Sequence, residues 1–266
     1  MPVKFILFIC LVAFSSLHAK PLPDLVFILA GQSNMEGTGK IAELPERYKK
    51  PPANVRMWDK PNKKWAALGE SRRAVKLGQF GPEVGFCHAV SQHYPKHTIR
   101  IIKVAAGGTS LHTAWQKGMG MNRRLVVSYE DAMKDLAASD TAYIVKGLLW
   151  MQGESDTKKI EGMADQYQLR MEAFIKQMRG LTGRPQLPVV MGRINSLISQ
   201  ATKFNFPHVE IVQAHQGKVA SKDPRVALVD TDKFSCLADK THFDTQGCLD
   251  LGNAMFKAIG TFLPKQ

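Results

Sequence analysis

Cysteine is scarce in this 266-residue chain, with four in all, and so are acids, with 23 Asp and Glu against 36 Lys and Arg. No Cys-x-x-Cys or His-x-x-x-His spacing accompanies the cysteines, which argues against a zinc site. Beyond the first twenty residues no apolar run is long enough to span a bilayer. Internal repeats, low-complexity tracts and linkers are absent too, so the chain reads as one domain with room for a substantial core. The acid deficit leaves a formal charge of +13. The basic residues are scattered in pairs (Lys49-Lys50, Lys63-Lys64, Arg72-Arg73, Arg123-Arg124) without aromatic interleaving. That pattern excludes a nucleic-acid module and leaves a solvated basic surface or contact with an anionic glycan.

What is present begins with an export signal. Met1 to Lys4 is short and basic, Phe5 to Phe14 is nearly all apolar, and small residues lead to Ala19. This is the layout of a secretory signal peptide with cleavage near Ala19, which makes the product secreted or periplasmic and leaves residues 20–266 as the mature domain. Cys10 leaves with the signal, and export permits disulfides among the rest. Cys236 and Cys248 flank His242, and a bridge between them would pin that loop. Cys87 lies in an expected helix and reads as a small buried residue.

The mature chain alternates apolar strands with amphipathic helices. Leu25–Ala30 reads as a strand buried on both faces. Further strands are expected at residues 98–106, 143–151, 188–194 and 226–230, with helices opening at Gly81-Pro82-Glu83, around residues 125–136, 163–178 and 207–220, and from the N-cap Asp244. Residues 38–80 read as a long irregular stretch holding one strand-like piece, Val55-Arg56-Met57-Trp58. The alternation predicts an α/β fold with a central, mostly parallel five-stranded sheet between helical layers.

Three polar, glycine-bearing blocks each follow a strand: Gly31-Gln32-Ser33-Asn34-Met35-Glu36-Gly37, Gly107-Gly108-Thr109-Ser110 and Gln152-Gly153-Glu154-Ser155-Asp156. In a parallel sheet all three lie on one edge, and Asp239-Lys240-Thr241-His242 precedes the last helix at that same edge. Acyl transfer needs such a set: a hydroxyl, a histidine to take its proton, a carboxylate behind the histidine, and donors for the oxyanion. Ser33 is the candidate nucleophile, His242 the base and Asp239 its partner. Ser33 N–H, an N–H of Gly107 or Gly108, and the Gln152 amide are the candidate oxyanion donors. Each piece also has an ordinary reading as a turn former, cap or packed residue; their joint placement at strand ends is what favours chemistry.

These blocks, together with Gly81-Pro82-Glu83-Val84-Gly85-Phe86, Trp115 and Trp150-Met151, resemble the sialate O-acetylesterase-like family allied to carbohydrate esterase family six, within the SGNH hydrolases. The resemblance covers nearly the whole mature chain. It implies a flavodoxin-like α/β/α fold and removal of acetyl groups from sugars without a metal or other cofactor. By position it gives Ser33, His242 and Asp239 the catalytic roles, with Gly108 and Gln152 completing the oxyanion hole. Glu154 is the alternative carboxylate. Gln32, Asn34, Gly107 and Trp115 are candidate substrate contacts, and Trp58 and Trp65 are candidate stacking surfaces or core. Gly-Gln-Ser stands where the superfamily more often has Gly-Asp-Ser, and Gln152 where it has asparagine, both usual in this branch. The alternatives are an acyl hydrolase on non-carbohydrate esters and a glycan-binding relative without activity.

Overall fold

The computed structural model describes residues 21–70, 72–201 and 205–263. The expected signal peptide lies outside them. The chain runs β1 (Asp24–Gly31), α1 (Ser33–Glu36), β2 (Gly39–Lys40), α2 (Glu46–Lys49), β3 (Val55–Asp59), β4 (Lys64–Ala67), α3 (Arg72–Leu77), β5 (Gln79–Phe80), α4 (Glu83–His93) and β6 (Ile99–Ala105). It continues through α5 (Gly120–Ala138), β7 (Tyr143–Met151), α6 (Tyr167–Thr182), β8 (Val189–Gly192), α7 (Val209–Lys222), β9 (Val226–Val229) and α8 (Thr245–Gly260).

Seven strands form the main sheet in the order β4-β3-β6-β1-β7-β8-β9. All neighbours pair in parallel except β3 and β4. The sheet therefore has two strands more than the five expected. The extra pair is the hairpin β3–β4, inside the stretch read as irregular, with Trp58 directly opposite Trp65. Their rings meet edge to face at 5.1 Å, and the Trp65 indole N–H donates to Asp135, so neither is an open stacking platform.

Every residue of β1 is buried, as a central parallel strand requires. Side chains alternate along β7. Gly147, level with Phe27, faces α8, where a Cβ would come within 2.2 Å of Ile259. Trp150, three residues on, faces the other way and packs on Phe174 of α6. Phe27 meets Phe86 of α4, and Phe86 meets Phe256 of α8. The sheet is thus covered on both faces, giving three layers.

Helix ends follow the expected chemistry. Asp244 caps α8 by accepting the Gly247 N–H at 2.9 Å. Helix α6 closes at Gly183, in the left-handed conformation. Because β1 lies between β6 and β7, the strand order reverses at β1. Open α/β sheets bind ligands outside the carboxyl ends of their strands at such a reversal.

Candidate active site

The nucleophile candidate stands at that reversal. β1 ends in Gly31, where a Cβ would sit 2.0 Å from the Met151 carbonyl; only glycine lets the two central strands end this close together. The chain then turns directly into α1, and half-buried Ser33 is its first residue. No protein group bonds the Ser33 N–H among the described residues.

The next residue joins the blocks. Asn34 is 1 % exposed. Its amide donates to Glu154 Oε1 at 2.6 Å and to the Thr241 carbonyl at 3.0 Å, and its oxygen accepts the Phe243 N–H at 3.0 Å. The residue after Ser33 therefore grips both neighbours of His242. The 239–242 loop is shaped by Asp239, whose Oδ1 accepts the N–H groups of Thr241 and His242 while Oδ2 accepts from His242 Nδ1 at 2.7 Å. Burial works to raise the Asp239 carboxyl, but the bonds from the His242 ring and from the two backbone N–H groups outweigh it and hold it below the ordinary aspartate value.

Of the two carboxylates open from the sequence, Asp239 is the one bonded to His242. Glu154 is fully buried, gives Oε1 to Asn34, and has no hydrogen-bond partner for Oε2 among the described residues. Burial raises its carboxyl, partly offset by backbone and Asn34 bonds.

The other candidate residues have these surroundings. Asn34 and Gln32 are buried and bonded internally: Gln32 is 3 % exposed, and its Oε1 accepts from the Gln152 amide and the Ser155 N–H. Trp115 is 1 % exposed, packs against Trp150 and donates to Thr109 Oγ1; it is core. The Gln152 amide nitrogen is shared among Gln32 Oε1, the Thr109 carbonyl and Asp156 Oδ2, at 3.2, 3.2 and 2.5 Å. Both of its N–H bonds are thus directed to internal acceptors in the ligand-free site. Cys236 and Cys248 are unbridged thiols. Backbone bonds close their loop instead: Cys236 bridges Phe243, Leu237 N–H donates to the His242 carbonyl, and Asp244 N–H donates to the Ser235 carbonyl.

The glycine turn is divided between two tasks. Gly107 N–H donates to Glu36 Oε2 at 3.0 Å. Gly108 has φ +71°, and its N–H has no hydrogen bond among the described residues. The loop beyond is clamped by Asp156, which accepts the N–H groups of Leu111 and His112 at 2.8 and 2.9 Å. Burial pushes Asp156 up to about 6, against the pull of these bonds. Asp156 and Glu36 stand inside the motifs already singled out, but their types suit helix caps equally, and only their distant partners reveal their use. Among the described residues no group of three His, Cys, Asp or Glu could hold a metal ion.

The family model for carbohydrate esterases of the sialic acid-specific acetylesterase type matches residues 23–261. The chain belongs to this family. A probable carbohydrate esterase of Arabidopsis thaliana is 26 % identical over 258 residues, covering 89 % of this chain and 90 % of that protein. An Arabidopsis thaliana crystal structure superposes with a TM-score of 0.74 at 24 % identity, over 90 % of this chain and 99 % of that one. A carbohydrate acetylesterase from Xanthomonas citri superposes at 0.61 with 20 % identity, over 88 % of this chain and 55 % of that one. The family and fold expected from the motifs are thereby established, and with them a carboxylic ester hydrolase.

Proposed function

We propose that this esterase is exported and removes O-acetyl groups from carbohydrates through an acetyl-enzyme. The observation that carries the proposal is the grip of Asn34 on both sides of His242, which ties the Asp239–His242 pair to the residue following Ser33. Ser33 Oγ attacks the acetyl carbonyl while His242 Nε2 takes its proton, and Asp239 stabilises the imidazolium through Nδ1–H. The carbonyl oxygen becomes an oxyanion held by the N–H groups of Ser33 and Gly108. Collapse breaks the bond to the sugar oxygen, which receives the proton from His242. Water, deprotonated by His242, then attacks the acetyl-enzyme and releases acetate and Ser33.

Acetate release by the trimmed protein, wild type beside Ser33→Ala, on 4-nitrophenyl acetate and on acetylated xylan tests this. Turnover of both that disappears with Ser33 is the expected result. Turnover of the small ester alone moves the substrate to another acetylated sugar, or to a non-carbohydrate ester. Folded protein inert on both substrates overturns the proposal in favour of a glycan-binding relative.

A further inference from the structure

The Gly107–Gly108 turn carries one of the two proposed oxyanion donors, yet little packing holds it. Both glycines are exposed, and a Cβ built on Gly108 would meet nothing within 4 Å. Two successive glycines are the most freely rotating backbone a chain can offer. Catalysis by an N–H donor requires the opposite, because misplacement by about 1 Å can cost on the order of a hundredfold in rate.

Bonds at the two ends of the turn set its limits. Ala106 N–H donates to the Gly31 carbonyl at 3.3 Å, and Thr109 Oγ1 donates to the Ala106 carbonyl at 2.8 Å. Between them, Glu36 Oε2 accepts the Gly107 N–H at 3.0 Å. A Cβ on Gly107 would lie 3.6 Å from this carboxylate oxygen and 3.6 Å from Ser33 Cβ, so the turn lies alongside the nucleophile with room for a methyl group between them. Glu36 is itself a fixed post. Its N–H donates to the Gln32 carbonyl at 2.7 Å, and its carbonyl accepts from Lys103 Nζ at 3.0 Å. Lys103 in turn is paired at 2.5 Å with the buried carboxylate of Glu83.

We propose that Glu36 is the positioning residue of the oxyanion hole: its carboxylate fixes the Gly107 peptide so that the N–H groups of Gly108 and Ser33 converge on the acetyl oxygen. The inference rests on the acyl-transfer reading above. Glu36 acts as an acceptor and not as a charge, since a carboxylate beside a growing oxyanion is electrostatically unfavourable. An amide oxygen at the same place does the same work.

The test is hydrolysis of 4-nitrophenyl acetate by wild type, Glu36→Ala, Glu36→Gln and Ser33→Ala, with inhibition by phenylboronic acid, whose tetrahedral serine adduct uses the same donors. Glu36→Ala should lower kcat about 10- to 100-fold with KM within about threefold, and weaken boronate inhibition by a similar factor. Glu36→Gln should restore kcat to within about threefold of wild type. A wild-type kcat in Glu36→Ala, a raised KM at unchanged kcat, or a Glu36→Gln enzyme as slow as Glu36→Ala each overturns the inference while leaving the esterase reading intact. Should Glu36→Ala fail to fold, Glu36→Gln decides alone, a tenfold loss overturning the proposal and wild-type turnover supporting it. Absence of Ser33-dependent hydrolysis in the wild type removes the esterase reading and this inference together.

Discussion

Asp239 and Glu154 are both candidate partners of His242 in the sequence, and their surroundings divide them. Asp239 is partly open, collects three N–H bonds and stays ionised. Glu154 is dry, with one oxygen on Asn34 and the other unbonded among the described residues. Asp239→Asn should therefore reduce kcat by about 10³- to 10⁴-fold, whereas Glu154→Gln, which keeps an oxygen for Asn34, should stay within about tenfold. Equal losses measured by acetate release would sink the assignment. Asp156 makes a pH prediction. Its folded value of about 6 lies above the ordinary 3.8, so between those values the folded protein holds more proton than the unfolded chain. Stability contributed by this group thus falls as pH rises from 4 to 6, by about 2 kcal/mol, opposite in sign to a depressed carboxyl such as Asp239. Urea unfolding at pH 4, 5, 6 and 7 should show this slope in the wild type and its loss in Asp156→Asn; parallel curves would refute it. At this scale the sequence shows residue types but not destinations. Gln32 and Asn34 look alike as polar members of a motif block, and only their bonds to partners 120 to 209 residues away show that they tie the blocks together.

Elements carry the site through a few connections across the sheet's carboxyl edge. Asn34 on α1 is the strongest of them, because it joins β1, the loop after β7 and the loop before α8. Asn34→Ala strands a buried carboxylate oxygen, a carbonyl and an N–H, which should cost about 3 kcal/mol. Since it frees the His242 loop, kcat should fall about 100-fold with KM little changed. Thermal unfolding and acetate release measure the two effects; a destabilised enzyme with full kcat would mean that His242 is held without Asn34. The sheet's parallel strands were legible because a strand buried on both faces is a short apolar run, as in β1 and the second half of β7, while β6 sets its apolar residues around Arg100 and Lys103. Residues 38–80 were not. The edge strand β4, Lys64–Ala67, has little alternation to detect, and β2 and β5 are two residues each, paired across nearly forty residues of chain. Non-local pairing of that kind leaves no local period.

At the scale of the whole molecule, export and the cysteines bear on each other. No helix among the described residues is long and apolar enough to cross a membrane. The proposed export predicts cleavage of the leader-like segment 1–19 and a product starting at Lys20; N-terminal sequencing of secreted protein that still begins at Met1 would refute it. An oxidising compartment permits a bridge between Cys236 and Cys248, and closing a loop of that length would contribute about 3 kcal/mol. The fold holds the loop by other means. The Cys236–Phe243 bridge, the bond from Leu237 to His242, Asp239 folded under its own loop, and Asn34 gripping from α1 together restrain it. The thiols are turned to carbonyls instead, Cys236 to Phe234 and Cys248 to Phe243. Burial raises both thiols, Cys236 to about 11, so thiolate for oxidation is scarce at neutral pH. Protein lacking residues 1–19 should therefore titrate three free thiols once denatured, and dithiothreitol should move its Tm by less than about 1 °C. One titratable thiol, with a Tm that falls on reduction, would show that the loop around His242 is pinned by sulfur after all.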